Sequence, residues 1–126
     1  MKIVPSSIQL YFDSIKDFLH RNPIILNFNI VRERIANTEG FIEINVIFPR
    51  GYRFSFFEYY RVSEGVTKYR YQLLDRDDKS IVRWDNAPHH PELDEFPHHQ
   101  HIGEKVQTCK QYSFYQIFNQ LNEFLV

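Results

Sequence analysis

The sequence predicts an α+β fold, an antiparallel five-stranded meander sheet with N- and C-terminal helices packed on one face. Three observations predict it. Apolar residues recur at offsets of three and four at both ends of the chain, they alternate with polar residues in between, and the alternating runs are joined by turns too short for helical crossovers. A length of 126 residues with 43% hydrophobic residues suits one hydrophobic core, so residues 1–126 are read as a single domain.

The first helix is expected from Ile8 to Leu19, where Ile8, Tyr11, Phe12, Ile15, Phe18 and Leu19 form one stripe. Ser6 and Gln9 stand in front of it as a capping box, and Asn22-Pro23 stops it by removing a backbone donor. Alternation begins with Leu26, Phe28 and Ile30. After the Asn37-Thr38-Glu39-Gly40 turn it resumes with Ile42, Ile44, Val46 and Phe48. Tyr52, Phe54 and Phe56 mark a third strand, Tyr69, Tyr71 and Leu73 a fourth, and Ile81 to Trp84 a fifth. Ser113 with Gln116 opens the closing helix, whose stripe is Phe114, Ile117, Phe118, Leu121, Phe124 and Leu125. That stripe has two uses, a core face or a homodimer seam.

With fifteen Lys and Arg against sixteen Asp and Glu, bulk charge gives no reason to expect nucleic-acid or membrane binding, so any cationic site must be local. Cys109 is the only cysteine, which excludes an intrachain disulfide and favours a reducing cytoplasm. It reads as a small filler, not a nucleophile. No apolar run approaches a bilayer span and no secretion signal precedes the first helix, so a soluble, cytoplasmic protein with no membrane partner is expected. Charge is segregated along the chain. Residues 32–83 hold ten bases and eight acids, whereas residues 84–104 hold five acids and no Lys or Arg.

Five of the six histidines, His89, His90, His98, His99 and His101, fall within thirteen residues. Pro88, Pro91 and Pro97 exclude a helix there and predict a loop beyond the fifth strand. Imidazole can take and return a proton near neutrality, and a histidine pair with a cationic patch is what phosphodiester cleavage of RNA requires. The catalytic candidates are therefore these five histidines with Asp85, to orient a ring, and Asn86, to donate to a phosphate. Lys68, Arg70, Arg83 and Trp84 are the substrate-binding candidates. The plainer readings are a solvated strand face for Lys68 and Arg70 and a strand-end anchor for Trp84. The side chains of His90 and His99 are expected outside the core. No cofactor is expected. The alternative is a divalent ion such as zinc on His98, His99 and His101 with Asp85, Asp94 or Glu95, although the spacing matches no usual zinc signature.

Tyr69-Arg70-Tyr71-Gln72-Leu73-Leu74-Asp75, Ile81-Val82-Arg83-Trp84-Asp85-Asn86-Ala87-Pro88-His89-His90 and Phe96-Pro97-His98-His99-Gln100-His101 resemble the TumE family, toxin components of prokaryotic toxin-antitoxin modules. The resemblance covers about residues 66–105. It implies a growth-inhibiting protein neutralised by a cognate antitoxin with a helix-turn-helix DNA-binding character. An RNA target follows only by analogy with other small toxins, and the contrasting reading is a metal-binding or protein-interaction module without catalysis.

Overall fold

A computed structural model describes residues 6–88, 92–93 and 95–125. Helix α1 spans Ser7–Arg21, followed by strands β1 (Asn27–Ile35), β2 (Glu39–Ile47), β3 (Arg53–Arg61), β4 (Gly65–Leu74), β5 (Ser80–Asp85), β6 (His99–Ile102) and β7 (Lys105–Thr108). Helix α2 (Phe114–Gln120) and a short 3-10 turn (Leu121–Glu123) follow. The strands form one antiparallel sheet in the order β1-β2-β3-β4-β5-β6-β7, an uninterrupted meander.

Among the described residues the expected five strands are thus seven. Residues placed in the proline-stiffened loop belong partly to a hairpin, His99–Ile102 with Lys105–Thr108. The prolines end at Pro97, and beyond it every residue can donate to the ladder. Gly103 closes that hairpin at φ 59°, a conformation that favours glycine.

The polar N-cap signals act as expected, one of them by half. Ser6 Oγ accepts from Gln9 N–H, but Gln9 Nε2 donates to Asp13 instead of returning to the cap. At α2 the box is complete, with Ser113 and Gln116 bonding each other's backbone N–H. Both helices lie on one face of the sheet. Ile8, Phe12, Ile15 and Leu19 of α1 and Phe114, Ile117 and Phe118 of α2 share one buried cluster with Ile42, Ile44, Phe54, Phe56, Tyr71 and Trp84. Phe114 meets Phe56 at 4.8 Å between ring centroids and Phe18 edge-on at 5.8 Å. The α2 stripe therefore packs on this chain's own core. At the edge of the sheet β1 departs from its expected pattern. Leu26 is 66% exposed and Ile30 is exposed on this edge strand, and the register shifts after Ile30, between Ile30 and Arg32.

A cluster absent from the sequence reading ties α1 to the sheet. Glu58 is fully buried on the helix-bearing face, where the hydroxyls of Tyr11 and Tyr71 both donate to its carboxyl group. Burial pushes the Glu58 pKa up, against the pull of those two hydrogen bonds. Among the described residues no helix is long and apolar enough to cross a membrane.

Candidate active site

Alternation along the strands sends the polar residues to the face without helices, and register decides which of them meet. Arg32 pairs with Glu43, Glu43 with Phe57, Phe57 with Arg70, Arg70 with Asp85, and Asp85 with His99. One row beyond, Gln72 pairs with Arg83 and Arg83 with His101. Residues distant in the chain thus become cross-strand neighbours, at separations where side chains interact directly.

Asp85 is the hub. Although only 6% exposed, it carries four approaches. Its Oδ1 accepts from His99 Nε2 at 2.7 Å and from Ala87 N–H at 3.1 Å. Its Oδ2 accepts from Arg83 Nε at 2.9 Å and lies 3.5 Å from His101 Nε2. A buried carboxylate is tolerated where cationic and N–H donors surround it in this way.

His99 is 2% exposed, so the expectation that its side chain lies outside the core fails. Its Nδ1 lies 2.9 Å from the Pro97 carbonyl, an acceptor, so Nδ1 donates. Nε2 meets Asp85 Oδ1, so both ring nitrogens are engaged. The His101 ring meets His99 edge-on, with centroids 4.8 Å apart. Its Nε2 is 3.0 Å from Arg83 Nη2, which can only donate. Arg83 therefore bridges Asp85 and His101.

His98 leaves this cluster. Its Nδ1 meets the Tyr69 hydroxyl at 2.8 Å and its ring stacks on Tyr69, a residue of the hydrophobic core. Desolvation lowers its pKa, against the pull of Glu95. Trp84 is buried on the helix-bearing face, edge-on to Phe124. Asn86 Nδ2 donates to Thr67 O at 2.9 Å and its Oδ1 accepts from Tyr69 N–H at 3.1 Å, so its amide extends the β4–β5 ladder past the end of β5. His89, His90 and Asp94 lie outside the described residues. Cys109 is half-buried, and burial raises its thiol pKa to about 11, which leaves it a protonated, unreactive thiol.

A groove of about 680 Å³ opens on the helix-free face between the sheet and the segment after β5. Lys68, Arg70, Arg83 and Asp85 line it with Phe57 and Phe96. Arg70 is shared with Glu43 at 3.0 Å, and the neighbouring guanidiniums of Arg32 and Arg70 lower the Glu43 pKa against its desolvation. The two phenylalanines are the residues that sequence reading missed. Phe57 carries a signal, since after Phe54 and Phe56 it places a large apolar side chain on the face opposite theirs.

Ligand atoms of Asp85, His99 and His101 lie within 4.8 Å of one another, close enough to consider a divalent cation. The donor set argues against one. Arg83 already places a guanidinium on both Asp85 Oδ2 and His101 Nε2, where a cation would have to sit. Of the three metal candidates named from sequence, His98 faces Tyr69 and not this cluster.

The family model described as "Toxin TumE" matches residues 15–126, nearly the whole chain. No curated protein and no solved structure matches it.

Proposed function

The chain belongs to the TumE toxin family, and from that premise we propose that it inhibits growth by cleaving RNA at the Asp85–His99–His101–Arg83 cluster. Membership of a toxin family carries a cognate antitoxin with it. The antitoxin is proposed to be a helix-turn-helix protein, and the site of action the cytoplasm. The observation that carries the reading is the bridge of Arg83 between Asp85 and His101 at the wall of a cation-lined groove.

The bridge suggests how the chemistry begins. A phosphate entering the groove competes for Arg83 Nη2, since guanidinium pairs with phosphate oxygens through charge-assisted bonds. His101 Nε2 is then left with its lone pair and takes the proton of a 2'-hydroxyl. The 2'-oxygen forms a bond to phosphorus, the bond to the 5'-oxygen breaks, and that oxygen leaves as a hydroxyl with a proton from a water that the His101 imidazolium reprotonates. Asp85 Oδ2, 3.5 Å from Nε2, faces the imidazolium so formed. Arg83, Arg70 and Lys68 face the charge on the phosphorane. His99, buried and bonded at both nitrogens, is a positioning residue that fixes Asp85.

Expression of the chain without its antitoxin tests this. Growth arrest with RNA fragmentation is expected, and both should vanish in His101→Ala. Arrest that persists in that variant with intact RNA contradicts catalysis and favours the protein-interaction alternative. The metal alternative has one observation behind it, the Asp85–His99–His101 convergence, and predicts a stoichiometric divalent ion in untagged protein that is lost in His99→Gln.

A further inference from the structure

Accepting the RNA-cleaving reading, we infer that the groove takes a single-stranded segment and that an unpaired base stacks on Phe96 above the cationic floor. Phe96 is 44% exposed at the groove wall. The Phe96 ring lies open to a groove whose floor is charged, and a planar, partly apolar ligand would cover it.

The same face of the sheet already holds a planar cation over aromatic rings. The Arg32 guanidinium sits 5.2 Å from the Phe57 centroid and 5.3 Å from that of Phe41, while Glu43 holds its Nε at 2.8 Å. Phe57 lines the same groove as Phe96, with Lys68, Arg70 and Arg83 between strand and loop. Apolar rings beside cations are what an unstacked nucleotide offers contacts to, its base face to a ring and its phosphate to a guanidinium. A duplex presents no base face, because every base is stacked within the helix. The groove also abuts Asp85 and Arg83, so a nucleotide held there brings its phosphate to the reactive cluster.

The test uses the non-cleaving His101→Ala protein and a fluorescein-labelled mixed-sequence RNA, presented as a single strand and as a duplex. Single-strand binding about tenfold or more tighter than duplex binding is expected. Adding Phe96→Ala should remove most of that preference while leaving duplex binding and its salt dependence unchanged, and Phe96→Tyr should restore it. Because Phe96 is exposed, the alanine variant should fold normally. Equal binding of the two RNAs, or a preference indifferent to Phe96→Ala, overturns the unpaired-base inference and leaves the cleavage reading intact. Failure to bind either RNA, with no cleavage by the parent protein, overturns both.

Discussion

His99 Nε2 stands 2.7 Å from Asp85 Oδ1 in a pair almost sealed from solvent, while the other ring nitrogen is held by the Pro97 carbonyl. Breaking one side of such a pair leaves a buried partner unsatisfied. Asp85→Asn should therefore destabilise the fold by about 1–3 kcal/mol in urea unfolding and abolish toxicity. His99→Gln, which can still donate one bond to Asp85, should lose less stability than His99→Ala. Equal stability of all three variants and the parent would show that the pair carries no structural weight.

His101 lies at the less buried end of the same cluster, with a fifth of its side chain exposed. His101→Ala should change stability by less than about 1 kcal/mol and yet remove RNA cleavage. Thermal unfolding and a cleavage assay on one protein preparation separate the two effects.

Arg83 makes its two bonds from different nitrogens of one rigid fork, Nε to Asp85 and Nη2 to His101. A lysine ammonium is a single point and cannot hold both geometries. Arg83→Lys should lower kcat about a hundredfold, with KM changed far less, in steady-state cleavage of a short RNA. A variant with full kcat would remove the bridge from the mechanism.

The site was half legible in the sequence, and the half that was hidden is a matter of register. Alternation in β4 assigned Lys68 and Arg70 to one face before any coordinates, and Arg83 of β5 lines the same groove. Alternation could not pair Asp85 with His99, because that contact depends on β6 being a strand and the histidine-rich segment read as loop. The same period explains why the histidines divide. His98 and His99 are adjacent, so on an extended backbone they point to opposite sides, one to Tyr69 and the other to Asp85. Trp84 follows the same rule, between Arg83 and Asp85 yet on the core side. The helices were clear from capping and spacing, whereas Glu58 gave no warning, since its partners Tyr11 and Tyr71 come from α1 and β4.

Glu58 gives a pH prediction independent of function. Its folded pKa is raised by burial, so the folded state binds the proton more readily than the unfolded chain. The associated stability is fully present below the ordinary carboxylate range and is lost as pH climbs from there through the folded pKa. Glu58→Gln cannot titrate, so the stability of the parent relative to this variant should fall as pH rises above the ordinary glutamate range and then level off. A difference that stays flat with pH would contradict a raised Glu58.

The most direct test of the central claim is the chemistry of the RNA ends left by purified protein in the presence of a chelator, read by mass spectrometry. A 2',3'-cyclic phosphate with a 5'-hydroxyl is predicted, with no product from His101→Ala or from a substrate lacking the 2'-hydroxyl at the cleavage site. Intact RNA, 5'-phosphate ends, or cleavage abolished by the chelator would contradict the account.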